Sequence, residues 1–358
     1  MSAASSYLKL LAKPVPAVAG TVAREVIIPP PDPRLDDTES ARLQDKLASK
    51  LATAEVSEAE REGLTDAAGR ALGKLVSDGG HAALSPPDIM ALEALVVIDG
   101  IRPVVDFRDG ALMAEPDRLG EWAEVTLRDA ARIEEVAQSV GRINLGDRQM
   151  GTGFVVGPHT IMTNRHVLEG LAEGQDGAWR FRGEATIAFG DHGAERGFRL
   201  SEQDISTCGL GRDYVLMDVA AALDGGELPG ALRLEDSRSF VLPNRPVYIV
   251  GYPGKPLPGT ERFSLLQRLF NCEYGRKRYC PGEVSSGLGE VAETSDKAVF
   301  GHDCTTLGGN SGSPVVDLGE SSATVVGVHF AGIRRVSNFA YSLAALRDDL
   351  EDRALNYV

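Results

Sequence analysis

The sequence predicts a multidomain α+β chain, in which a Pro-rich start leads into a mainly helical region and then an all-β domain. Three observations carry this. The chain has 358 residues, more than a single hydrophobic core normally organises. Apolar residues recur at helical spacing between positions 36 and 138. From Val140 onward they fall instead into short β-branched runs bounded by glycine. The boundaries this implies are 1–35 for a tail or linker, 36–139 for a helical domain and 140–358 for the β domain.

Residues 29–33 read Pro-Pro-Pro-Asp-Pro, and proline's locked φ and missing N–H keep such a run extended. Leu43, Leu47 and Leu51 then stand four apart, as on one face of a helix. Ser57 and Glu60 form a capping-box pattern ahead of Leu64, Ala68, Leu72 and Leu75, and Gly79-Gly80 ends that helix. Ser85-Pro86-Pro87 opens a further short helix. Val96–Gly100 and Val104–Phe107 read as two short strands around a turn, followed by a long helix near 117–138. Its stripe, Trp122, Thr126, Ala130, Ile133 and Ala137, predicts a helix packed against something larger. Strands are expected at 153–156, 160–162, 186–189, 214–219, 247–250 and 324–330, a spacing that fits a sandwich or barrel.

The net charge is −15, from 37 Lys and Arg against 52 Asp and Glu. Such a surface repels nucleic-acid phosphates and anionic lipid, so neither nucleic acid nor a membrane surface is an expected partner. No apolar run approaches the roughly 18 residues of a spanning helix. Pro14 and Pro16 interrupt the first apolar stretch, which suits a signal peptide badly. The expectation is a soluble, cytoplasmic protein. Cys208, Cys272, Cys280 and Cys304 form no C-x-x-C pair and are expected to be buried or free thiols rather than zinc ligands or a disulfide scaffold.

Three motifs fall in the β region, in this order: Gly151-Thr-Gly-Phe-Val-Val-Gly157 with Thr163-Asn-Arg-His166, then Asp213-Tyr-Val-Leu-Met217, then Gly308-Gly-Asn-Ser311-Gly-Ser-Pro314. Together they resemble the trypsin-like (chymotrypsin-fold) serine peptidases, especially the bacterial glutamyl-endopeptidase-like branch. The resemblance covers about 140–350. It implies an all-β double-barrel chymotrypsin-like protease domain that hydrolyses peptide bonds in protein or peptide substrates with no cofactor and no metal. A serine hydroxyl is a weak nucleophile at neutral pH, so His166 is matched to the base that takes its proton. An aspartate would fix the imidazole tautomer, and the backbone N–H groups of Gly309 and Ser311 would meet the developing oxyanion. Ser311 is the matched nucleophile. Two aspartates fit the third role. Asp213 leaves bulky Leu216 and Met217 where the family has apolar residues, whereas Asp218 is followed by alanines and then Asp224; Asp213 is favoured, with Asp218 then a solvated strand residue.

The resemblance also implies a primary specificity pocket. Thr305 and Thr306 stand at its base and wall, and neither carries the charge that a Lys or Arg preference requires. His329 lies in the facing strand, where glutamyl endopeptidases place a histidine, so that threonine hydroxyls and His329 would favour Glu or Asp before the scissile bond; the alternative is a strand histidine with no selectivity role. His81, His159, His192 and His302 read as loop or turn histidines. Asn310 stands where trypsin-type zymogens use an aspartate to capture a newly cut N-terminus. Activation by such cleavage is therefore not expected. The helical domain is read instead as a recruitment, sensing or inhibitory module that would take a regulatory protein partner. Arg262, Arg268, Arg276, Lys277 and Arg278 form a basic run that would either steer an acidic partner or lie as a solvated hairpin. The competing function is a non-catalytic module that keeps the fold to bind a peptide or partner.

Overall fold

The computed structural model describes residues 35–53, 58–85, 102–254 and 274–358 with short interior gaps, and isolated positions among 4–12 and 87–95. The Pro-rich run, Ser57, the 96–100 stretch, Arg262, Arg268, Cys208 and Cys272 lie outside the described residues. Two compact units emerge, one within residues 1–101 and the other beginning at Arg102. No helix among the described residues is long and apolar enough to cross a membrane.

In the first unit, helices Asp37–Thr53 and Glu58–Asp78 bury the leucines that the spacing singles out. Leu43, Leu47, Leu51, Leu64, Ala68, Leu72 and Leu75 are all buried in one apolar cluster. Gly79 takes φ +56° and ends the second helix, a conformation that costs a residue without Cβ little. Asp88 is buried and would be costly unpaired, but Lys74 Nζ donates to it at 2.8 Å and the Ser85 N–H at 3.0 Å.

The second unit opens with a hairpin, β1 (Val105–Arg108) and β2 (Ala111–Leu112). Its turn is Asp109-Gly110, both at positive φ, the geometry favoured between tightly linked strands; the sequence expectation placed a turn one strand earlier. The helix expected at 117–138 is interrupted. Gly120 takes φ +56° after the short helix Pro116–Leu119, and the long helix runs Ala123–Gln138.

Among the described residues sixteen further strands follow: β3 (Val140–Leu145), β4 (Arg148–Val155), β5 (Thr160–Thr163), β6 (Ala172–Gln175), β7 (Ala178–Phe181), β8 (Ala185–Phe189), β9 (Glu195–Leu200), β10 (Ser206–Thr207), β11 (Val215–Ala222), β12 (Arg233–Leu234), β13 (Pro246–Gly251), β14 (Arg278–Ser286), β15 (Val299–His302), β16 (Pro314–Asp317), β17 (Thr324–Ile333) and β18 (Ser337–Ser342). Strands β11-β5-β4-β3-β8-β9 close on themselves through β9–β11, and β13-β16-β17-β18-β15-β14 close through β13–β14. These are two six-stranded barrels, the chymotrypsin-like double-barrel fold. Closure leaves few unpaired edges.

Alternation along single strands explains why they read as unbroken apolar runs. In β11, Val215 and Met217 fill the first barrel while Leu216 faces a second cluster shared with Tyr248, Val250, Tyr279 and Val328 of the second barrel. In β13, Val247 and Ile249 fill the second barrel while Tyr248 and Val250 join that shared cluster. Both faces of such strands are buried. Trp122, Ile133, Val136 and Ala137 enter the shared cluster as well, and Thr126 Oγ1 lies 2.9 Å from the Tyr279 hydroxyl. The 102–139 segment is therefore part of the barrel unit, and the compact division falls at 101/102 rather than at 139/140.

The basic run is not a solvated hairpin where it is described. Lys277 and Arg278 are buried. Lys277 Nζ donates to the Ala137 carbonyl at the end of the long helix, a C-terminal placement that favours a cation, and Arg278 pairs with Asp106.

Candidate active site

Strands β5 and β11 are antiparallel neighbours, with Thr163 opposite Val215. The end of β5 therefore lies beside the start of β11, and the residues just beyond those ends meet. His166, in the first turn of helix Arg165–Leu171, places its Nδ1 2.7 Å from Asp213 Oδ2, and its backbone N–H donates to Asp213 Oδ1 at 2.9 Å. The Asp213 main chain is held in turn: its carbonyl accepts from Asn164 Nδ2 at 2.8 Å, and its N–H donates to the Tyr341 hydroxyl at 3.3 Å. The preceding residue, Arg212, is clamped by Asp296 at 2.9 Å and by Asp349. Asp218 is elsewhere. It accepts from Thr160 Oγ1 at 2.9 Å and pairs with Arg353 at 3.3 Å, so it is a tethered residue rather than a freely solvated one.

Ser311 lies in the turn before β16, and the carbonyls around it are held by named donors. Gly254 N–H bonds the Gly308 carbonyl at 2.5 Å, Ser313 N–H the Asn310 carbonyl at 2.9 Å, and Thr152 N–H the Ser311 carbonyl at 2.9 Å. Thr152 Oγ1 donates to the Gly309 carbonyl at 2.8 Å. No peptide bond among the described residues is cis. In a trans peptide the N–H points opposite to the C=O, so fixing the carbonyls of Gly308 and Asn310 also fixes the N–H groups of Gly309 and Ser311. Those two N–H groups donate no hydrogen bond among the described residues. Gly309 takes φ +97°, and a Cβ there would stand 2.5 Å from Gly254 N, so only glycine fits. A Cβ at Gly312 would meet the Thr152 carbonyl at 2.1 Å. Thr152 thus joins the first barrel to the serine loop; the sequence showed the surrounding Gly-Thr-Gly pattern but not this role.

The pocket residues are arranged differently from the expectation. Thr305 Oγ1 donates to the Arg102 carbonyl at 3.0 Å. Asn338 Nδ2 donates to the Cys304 carbonyl at 2.8 Å, which leaves Asn338 Oδ1 as acceptor for Thr306 Oγ1 at 2.5 Å. Both threonine hydroxyl hydrogens are therefore committed within the protein. His329 has a partner the sequence did not reveal. His302, expected in a loop, is fully buried at the end of β15, with Nε2 3.2 Å from His329 Nδ1. Burial pushes His302 down to about 3. Burial, with smaller contributions from His302 and His166 and against an opposing backbone hydrogen bond with Phe339, holds His329 well below the usual histidine range. Both rings are neutral near pH 7, so His329 supplies a donor rather than a positive charge. His302 Nδ1 has no hydrogen-bond partner among the described residues. Which ring nitrogen donates in this contact depends on the two tautomers. With His302 as the donor the His329 proton lies on Nε2; with His329 as the donor it lies on Nδ1. No spacing signal links positions 302 and 329; the adjacency of β15, β18 and β17 creates the pair.

Cys280 and Cys304 are buried. Among the described residues no group of three or more His, Cys, Asp or Glu side chains is placed to hold a metal ion.

Residues 151–328 match the family described as trypsin-like peptidase domain. A probable serine protease of Lysobacter enzymogenes is 29% identical over 320 residues, 82% of each chain. Among solved structures, the active form of the Rv3671c protease of M. tuberculosis aligns with TM-score 0.43 and 18% identity over 64% of this chain and 87% of that one. The inactive form of Rv3671c protease gives 0.42 and 19% over 64% and 96%.

Proposed function

The chain carries a trypsin-like peptidase domain over residues 151–328, and from that premise we propose that this serine protease is an endopeptidase whose triad is His166, Asp213 and Ser311. In this mechanism Ser311 Oγ attacks the scissile carbonyl as His166 Nε2 takes its proton, and the imidazolium returns that proton to the leaving amine. Asp213 accepts from Nδ1, fixes the tautomer that leaves Nε2 free, and stabilises the positive ring. The N–H groups of Gly309 and Ser311 meet the oxyanion, each worth about 3 kcal/mol of transition-state stabilisation. The observation that carries the proposal is the two-point attachment of His166 to Asp213, at 2.7 and 2.9 Å. A fluorophosphonate probe tests it: the full-length protein is expected to label and Ser311→Ala is not. Failure of the unmodified protein to label would overturn the triad.

We further propose that Glu or Asp is preferred before the scissile bond. The support is a pocket with Thr305 and Thr306 in place of a carboxylate and a neutral His329, whose Nε2–H is the donor when His302 donates to its Nδ1. The threonine hydroxyls contribute only if a substrate carboxylate draws Thr306 away from Asn338. The helical unit within residues 1–101 is proposed to recruit or restrain, through a regulatory protein partner.

A further inference from the structure

Position 310 is Asn, so no carboxylate there can anchor the serine loop through an ion pair. Another ion pair stands a few residues upstream. Arg102 is buried, with its guanidinium side-on to Asp303: Nε donates to Oδ1 at 2.7 Å and Nη2 to Oδ2 at 2.6 Å. The Arg102 guanidinium also faces Glu283 at 3.7 Å and Glu121 at 3.6 Å, and lies over the Trp122 ring at 5.3 Å. Planar, two-point pairing of this kind fixes orientation as well as charge. The same residue holds the next turn of chain through its backbone, since its carbonyl accepts Thr305 Oγ1 at 3.0 Å. Asp303 Oδ1 additionally accepts from the Glu283 N–H of β14 at 2.7 Å.

We propose that Arg102 is a positioning residue for substrate selectivity: it locks Asp303 and Thr305 on either side of Cys304 and so sets the wall of the primary specificity pocket. The proposal rests on the assignment of that pocket in the serine endopeptidase described above. Arg102 touches neither Ser311 nor His166; it acts through the 303–306 segment. It also neutralises a carboxylate two residues before Thr305. Without it, Asp303 would present an unpaired negative charge beside a pocket proposed to accept acidic side chains. The first residue of the barrel unit thereby does from inside the chain what the family's cleavage-made N-terminus does elsewhere, holding the pocket in its working shape.

The test compares two reactions of the same full-length protein. One is phosphonylation by a small fluorophosphonate that has no side chain for the pocket. The other is hydrolysis of a fluorogenic peptide library varied at the residue before the scissile bond. In Arg102→Gln, phosphonylation is expected to stay within about twofold. kcat/KM on the best wild-type substrate is expected to fall about tenfold or more, mainly through KM, with the ranking shifted away from acidic residues. The double variant Arg102→Gln/Asp303→Asn, which removes the stranded charge, is expected to recover part of the loss. Arg102→Lys keeps the charge but loses the two-point pairing with Asp303, and serves if Arg102→Gln does not fold; a smaller rise in KM at constant phosphonylation is expected. Equal losses in both reactions, or an unchanged peptide ranking, would overturn the proposal. An unmodified protein that does not phosphonylate at all would instead defeat the triad itself.

Discussion

His166 meets the Asp213 carboxylate with two different donors, its backbone N–H on Oδ1 and its ring Nδ1 on Oδ2, at 2.9 and 2.7 Å. The backbone bond holds the carboxylate in place whatever the ring does. The ring bond fixes its tautomer and points Nε2 away from Asp213, free to accept a proton.

Replacing Asp213 by Asn keeps the shape but offers an amide where an acceptor is needed, favouring the wrong imidazole tautomer. Turnover in Asp213→Asn is expected to fall by about four orders of magnitude. Asp218→Asn loses only its pairing with Arg353 and Thr160 and is expected to stay within about threefold in kcat. The reverse order, measured on one peptide substrate, would reassign the acid.

The contrast between those aspartates marks what a sequence exposes. His166 and Asp213, which meet in the fold, each sit in a short local motif, and the leucine stripes of residues 43–75 follow simple periodicity, so both are legible. The first unit's core and the strands carry that pattern directly. What was not legible depends on strand order. His302 meets His329, Arg102 meets Asp303, and Thr152 meets Gly309 only because barrel closure brings distant segments together. The boundary near 140 was read from a change of periodicity, yet Ile133 and Val136 pack with the barrels. Periodicity shows that a helix has an apolar face and is silent on which core receives it.

Gly309 offers a sharper test of the oxyanion site than the serine itself. A Cβ there would stand 2.5 Å from Gly254 N and 2.7 Å from the Tyr252 carbonyl, at a φ of +97° that side chains avoid. The peptide must shift, and its N–H with it. Gly309→Ala is expected to lower kcat by about two to three orders of magnitude while the unfolding midpoint moves much less. A kcat within threefold of the unmodified protein would remove Gly309 from the oxyanion site.

The buried histidine pair predicts acid sensitivity of the fold. His302 takes its proton only near pH 3 when folded, whereas an unfolded histidine takes it near 6.5. Between those values the unfolded chain binds more protons, so stability rises with pH and is lost as pH falls from about 6.5 towards 3. At about 1.4 kcal/mol per unit, the His302 contribution is about 2 kcal/mol between pH 7 and 5. Urea unfolding at those two pH values should show this drop, reduced in His302→Gln. An equal drop in both proteins would show that carboxylates alone cause it.

Substrate preference turns on Thr305, Thr306 and His329, each of which has a partner that the sequence did not reveal. A Lys or Arg side chain entering it would find hydroxyls at Thr305 and Thr306, and a cation desolvated without a partner is strongly disfavoured. The remaining choice lies between acidic and small residues, and His329 decides it. When His302 donates to its Nδ1, its proton lies on Nε2, as a neutral donor that does not need acid to work. Cleavage after Glu or Asp should therefore persist at pH 8, where a protonated histidine would have lost its charge. In a mixed peptide library, acidic residues are expected to lead. His329→Ala should cut kcat/KM for them about tenfold or more through KM, while cleavage after small residues changes by less than about threefold. His302→Gln should act in the same direction more weakly, because an amide at 302 lets the His329 tautomer vary. Dominant cleavage after Lys, Arg or large aromatics, or acidic cleavage indifferent to His329→Ala, would remove His329 from the pocket and leave it a buried strand histidine.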